Sequence, residues 1–132
     1  MPISVSWFDS AQTIILVRYR LHFDWAEYDR AEQKAAQLMD SSPGRVDVLV
    51  DYQPLVTPLD YARHMPRLAA TSPYIHHPKL GNVVVCSPTR FIRLMLQTFD
   101  SLFNPHRGTL HYSPSLEDGI ALIAQMRETH RA

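Results

Sequence analysis

Apolar residues near the start of the chain alternate with polar ones, and further on they fall into continuous runs separated by stretches of helical spacing. Ile3, Val5 and Trp7 alternate with Ser4 and Ser6, the period-two pattern of a strand with one covered face over Ile3 to Phe8. Asp9-Ser10-Ala11-Gln12 reads as a turn and Thr13 to Tyr19 (TIILVRY) as a second strand, and so short a link predicts an antiparallel hairpin. Asp24 with Glu27 three residues on resembles a capping box. Trp25, Tyr28, Ala31, Ala35 and Leu38 then recur at helical spacing, which predicts a first helix from Asp24 to about Met39, ended by Ser42-Pro43-Gly44.

The rest of the chain is organised around Arg45 to Asp60 (RVDVLVDYQPLVTPLD). Val46, Val48, Leu49 and Val50 form the nearly continuous apolar run expected of a central strand covered on both faces, with Asp51 closing it. Thr57-Pro58-Leu59-Asp60 has the cap, proline and acidic residue of a helix start. This second helix turns Tyr61, Met65 and Leu68 inward and is shortened or kinked by Pro66. Thr71 to Lys79 reads as a loop and Gly81 to Cys86 as a buried strand. Ser87-Pro88 opens a third helix, with Phe91, Ile92, Met95, Leu96, Phe99, Leu102 and Phe103 on one side and Arg90, Arg93, Gln97 and Asp100 on the other. A short strand follows over Thr109 to Tyr112. Ser113-Pro114 begins a last helix that buries Leu116, Ile120, Ile123 and Ala124, with a tail that frays from Arg127.

The order ββαβαβαβα predicts an α/β fold. The expected sheet is mixed, mostly parallel and five-stranded, with an antiparallel N-terminal edge hairpin and covering helices, as a single domain over residues 1–132. Thirteen basic and thirteen acidic residues cancel, so no overall field gathers nucleic acid or an anionic membrane surface. The one cysteine, Cys86, excludes an intramolecular disulfide framework. The start, MPISVSWFDS, lacks the features of a signal peptide, and no window is long enough to cross a bilayer. The expectation is a soluble cytoplasmic protein with no nucleic-acid or membrane partner.

Thr57-Pro58, Ser87-Pro88 and Ser113-Pro114 each follow a predicted strand and open a predicted helix. Parallel topology gathers all three at the carboxyl edge of the sheet, where hydroxyls, free backbone donors and helix dipoles meet. That makes Asp51, Tyr52, Thr57, Ser87, Thr89 and Arg90 the expected partner or ligand edge, although each Ser/Thr-Pro pair also serves simply as a helix cap. Cys86 at a strand end before a helix start has the setting of an activated thiolate, but Arg90 and Arg93 follow at spacings that do not wrap a phosphate and no glycine opens the loop. The seven histidines show no zinc-ligand spacing, so no metal or other cofactor is expected. Cys86, Asp51 and the histidines are the raw material for an enzyme, and no catalytic set links them.

The element order, read with Trp25 in the first helix, the VDVLVD strand, the Gly81 to Cys86 strand and a final helix after Ser113, resembles the STAS-like or SpoIIAA-like superfamily, and in particular its bacterial branch with no assigned chemistry. The resemblance spans nearly the whole chain and rests on architecture and scattered positions. It implies a non-enzymatic regulatory or interaction module whose partner is a protein, with a second copy of the chain among the candidates. In the anti-sigma factor antagonists of that superfamily, a serine within Asp-Ser-Ser-Gly after the third strand is phosphorylated. Thr57 stands at about the matching place and is the phosphoacceptor candidate, while the acidic residue, second serine and glycine are missing. The alternative is a carrier or sensor holding an apolar or anionic small molecule between helices and sheet.

Overall fold

The computed structural model describes residues 3–19, 24–52, 73, 76–88, 93, 94, 97 and 109–131. Strands β1 (Ile3–Trp7), β2 (Ile14–Tyr19), β3 (Val46–Tyr52), β4 (Leu80–Cys86) and β5 (Leu110–Ser113) form one sheet in the order β1-β2-β3-β4-β5. β1 pairs with β2 antiparallel and every later pair is parallel, so the valine-rich segment is the central strand. The chain is thus an α/β protein with a mixed five-stranded sheet and an antiparallel edge hairpin. Two helices are described, α1 (Trp25–Asp40) and α2 (Leu116–Arg131). The second helix expected from Pro58 lies outside the described residues. Of the third, Arg93, Leu94 and Gln97 are helical and exposed, and the rest lies outside.

Side-chain alternation divides the core between two faces. Ile3, Val5, Ile15, Val17, Val48, Val50, Val83 and Val85 take one face together with Ala31, Ala35 and Met39 of α1. Ile14, Leu49, Val84 and Cys86 take the other with Ile123 of α2, joined by the partly buried Leu116, Ile120, Leu122 and Met126. α1 lies on β1 and β2, and α2 on β3, β4 and β5. Each fully buried Val, Leu or Ile contributes roughly 1.5–3 kcal/mol of transfer free energy, so the two layers are the main source of stability.

Helix α1 starts as its residues dictate: the Asp24 carboxylate accepts the Glu27 N–H at 2.7 Å. It runs to Asp40, one residue past the expected end at about Met39, with Ser41 as its C-cap. Four details differ from the sequence reading. β3 runs on through Tyr52, which pairs with Tyr19, because the β2 strand beside it is long enough to extend the ladder past Asp51. β5 includes Ser113, and α2 is capped instead by Ser115, whose hydroxyl accepts the Asp118 N–H at 3.1 Å. Ala124 is exposed, because α2 seats Gly119 against Cys86 and so turns Ile123 and Met126 to the sheet. Finally, α2 continues past Arg127, which is anchored to the sheet rather than frayed.

That anchor belongs to a polar network at the amino ends of the parallel strands. The carboxylate of Asp47, a residue 4% exposed, accepts from Arg127 Nε at 2.8 Å and from the Asn82 N–H at 2.7 Å. Arg127 also donates to the Thr13 hydroxyl at 3.1 Å and to the Thr13 carbonyl at 3.0 Å. Thr13 in turn donates its hydroxyl to Asp9, whose carboxylate also accepts the Thr13 and Ile14 N–H groups. Desolvation pushes the Asp9 carboxyl up, but these three donors outweigh it and hold the group below its ordinary value. At the same end Ser42 donates to the Gln12 carbonyl at 3.1 Å, which steadies a left-handed Gln12 (φ 59°) in the hairpin turn. Lys79 donates to the Ser42 carbonyl at 2.8 Å and the Asp40 carbonyl at 3.2 Å, capping the end of α1.

Candidate functional site

The amino edge is closed by its own hydrogen bonds, which leaves the carboxyl edge as the place to look for function. There the register sets Arg18, Asp51, Cys86 and Ser113 side by side across β2 to β5. Arg18 Nε lies 3.6 Å from Asp51 Oδ2, with the side chains 44% and 19% exposed, so this pair meets solvent. Surface pairs of this kind add little to stability, about 0–1 kcal/mol.

Next along the row, Cys86 is buried, with Sγ 3.9 Å from the Val84 carbonyl. Burial pushes its thiol up to about 12, and the negative charges of Asp51 and Asp118 add to the effect. A strand end before a helix start is where a thiolate would be activated, but here the surroundings keep the thiol protonated at neutral pH. Ser87 is likewise inside the fold: its N–H donates to the Ser113 carbonyl at 3.0 Å and its carbonyl accepts the Tyr112 hydroxyl at 2.6 Å. Ser113 is buried and donates to the Ser115 carbonyl at 2.9 Å. Glu117 and Asp118 occupy the first turn of α2 and already complement its dipole, so that helix start favours no added anion.

On the opposite face the edge carries an aromatic file. Tyr19 and Tyr52, the last residues of neighbouring strands, have ring centroids 5.2 Å apart; Tyr19 lies 5.8 Å from Tyr28, and Tyr28 lies 5.2 Å from Trp25. The file runs from the buried tyrosines out to Tyr28 and Trp25, which are half-buried in the first turn of α1. Geometry of this kind, offset and tilted, adds about 0.5–1.5 kcal/mol per pair beyond burial.

Of the residues expected at this edge, Asp51, Tyr52 and Ser87 stand at neighbouring strand ends, while Thr57, Thr89 and Arg90 lie outside the described residues. Sequence reasoning passed over Arg18 and Tyr19. Their signal was a charged residue breaking the apolar run of β2 just before an aromatic at its end. Two of the described histidines serve local structure: His77 donates from Nε2 to Asp40 at 2.7 Å and accepts the Lys79 N–H on Nδ1, and His111 lies 3.0 Å from the Asn82 side-chain oxygen. Among the described residues no group of three or more His, Cys, Asp or Glu side chains could hold a metal ion, and no helix is long and apolar enough to cross a membrane.

The fold and this edge define an α/β domain with a mixed sheet whose carboxyl end presents paired charge beside aromatic rings. No family model, curated protein or solved structure matches the chain.

Proposed function

We propose that this chain is a non-enzymatic, cytoplasmic module of STAS-like type that acts by binding a protein partner at the carboxyl edge of its sheet. The observation that carries the reading is the exposed Arg18, ion-paired with part-buried Asp51, at the same edge as the aromatic file that ends at half-buried Trp25. Arginine and large aromatics are the residues that anchor protein interfaces, where rings bury area at low entropic cost and charge fixes register. The mixed sheet opening with an antiparallel hairpin agrees with the superfamily resemblance in its coarse architecture. A thiol raised to about 12 supports the same reading, since it withdraws Cys86 from nucleophilic use.

A photo-cross-linking phenylalanine derivative at Trp25, introduced in the native cell, tests the proposal. The expected result is a discrete adduct with another polypeptide that disappears in the Arg18→Glu background while the fold, read by circular dichroism, is kept. An adduct that ignores Arg18→Glu, or no adduct at all, overturns the proposal. Native mass spectrometry showing a retained small molecule and no polypeptide partner overturns it in favour of a carrier.

A further inference from the structure

We propose that two copies of this chain pair edge to edge through β1, antiparallel about Val5, to form a dimer with one continuous sheet. This surface is the outer side of β1, which adjoins the carboxyl edge where Ser4 pairs with Arg18, and the inference stands whether or not that edge binds a partner.

The first observation is where the backbone of β1 points. The Phe8 N–H donates to the Ile14 carbonyl at 2.7 Å, and the register sets Ser4 against Arg18, Val5 against Val17 and Ser6 against Leu16. Antiparallel pairs alternate between hydrogen-bonded and open. Ser4 and Ser6, in phase with Phe8, therefore spend their backbone groups on β2, and Ile3, Val5 and Trp7 turn theirs outward. Edge strands are ordinarily guarded by charge, proline or a bulge. β1 (ISVSW) carries none of these, and its register with β2 is regular along its five residues.

The second observation is that this edge is its own complement. Antiparallel pairing about Val5 sets Ile3 against Trp7 of the second copy and yields about six backbone hydrogen bonds. A two-fold axis normal to the sheet keeps both apolar sets on the α1 face and places Ser4 opposite Ser6 on the other. Because α1 rides on β1 and β2, strands about 4.8 Å apart bring the two copies of α1 about 10 Å apart across the axis, a distance at which helices pack.

The helix charges match as well. Glu32, 3% exposed, marks the flank of α1 turned toward the middle of the sheet, which leaves Glu27 and Lys34 on the flank above the open edge. The ring contact of Tyr19 with Tyr28 levels Tyr28 with Ile3, the β1 partner of Tyr19. Val5, two residues along the strand, is then level with a point about four residues further along the helix, near Ala31 and Glu32. Antiparallel helices crossing there set Glu27 of each copy opposite about position 36 of the other, within roughly one helical turn of Lys34, so the two long side chains reach each other across an isologous interface.

Native mass spectrometry and sedimentation of the full chain test the proposal. The wild type is expected to be a dimer, with amide exchange at Ile3, Val5 and Trp7 slowing as concentration rises. The variant S4K/S6K changes only side chains that are exposed on the face away from α1. It sets like charges across the axis and is expected to raise the dimer dissociation constant at least about tenfold with an unchanged circular dichroism spectrum. Mixing S4K/S6K with S4E/S6E is expected to restore association as a heterodimer, because position 4 of one copy faces position 6 of the other. A monomeric wild type, a dimer unweakened in S4K/S6K, or charge-opposed variants that fail to associate on mixing each overturns the proposal.

Discussion

Arg127→Ala tests the amino-edge network by removing the cation that Asp47 faces. The Asp47 side chain is 6% exposed and that of Arg127 is 37% exposed, so the two halves of the pair are not equivalent. Without Arg127, a carboxylate is left buried with one remaining donor, the Asn82 N–H at 2.7 Å, and α2 also loses its bonds to Thr13. Stranding a buried charge costs roughly 3–5 kcal/mol; water entering where the half-exposed arginine stood puts the expected loss near the lower bound, about 3 kcal/mol. Asp47→Ala leaves a cation that solvent reaches and one unpaired N–H, for about 2 kcal/mol. The double variant strands no charge, only the Asn82 N–H, and should cost about 3 kcal/mol, so the cycle gives a coupling near 2 kcal/mol. For 132 residues a loss of about 3 kcal/mol lowers Tm by about 10 °C. Urea unfolding near neutral pH, followed by circular dichroism, measures all three. Additive losses, or a loss below about 1 kcal/mol for Arg127→Ala, would show that the pair behaves as an ordinary surface contact and refute the reasoning.

Gly119→Ala is expected to destabilise the protein by roughly 1–3 kcal/mol, because its Cβ would press on Cys86 Sγ and come within 3.3 Å of Leu49 Cδ2. In a Cys86→Ala background the same change should be neutral or gain up to about 1 kcal/mol, the ordinary helix preference; a loss in both backgrounds would place the clash elsewhere. Asp9 supplies a pH signature. Its carboxyl is lowered from 3.8 in the folded protein, so its contribution is fully present above that value and disappears as pH falls through the lower folded value. Asp9→Asn should therefore be less stable than wild type by about 1 kcal/mol near neutral pH, with the gap closing below pH 3.8; a gap that persists in acid would show that charge at Asp9 is not what the turn uses.

Features set by neighbours in sequence were legible, and those set by distant ones were not. The Asp24 cap needs only the Glu27 amide three residues away, and the β1 and β3 strands announce themselves through alternation and a valine-rich run. Asp47, by contrast, looked like one polar residue in an apolar strand, and its partner lies 80 residues on, in a tail that composition alone marks as frayed. Ser113 and Ser115 are equally good caps by residue type. The choice falls to Ser115 because Ser113 is still held in the sheet by its Cys86 partner. Alanine at 124 gave no signal either way, and the close seating of Gly119 decided the buried face of α2. At the carboxyl edge, parallel topology correctly brought the ends of β3, β4 and β5 together, yet whether each residue faces solvent or the core depended on strand phase.

The strand order has a consequence for how the molecule is made. Since each of the five described strands lies beside the described strand before it in sequence, none of them has to be inserted between two that are already paired. During synthesis each newly emerged strand finds its neighbour waiting, and the sheet grows outward from the hairpin in the direction of translation. Only α2 carries the guanidinium that neutralises Asp47, so that carboxylate stays uncompensated until all five strands are out. The last helix thus acts as a completion lock: a chain released before it is made carries the sheet strands with an unmatched acid at their amino edge, a form ready for quality control to recognise.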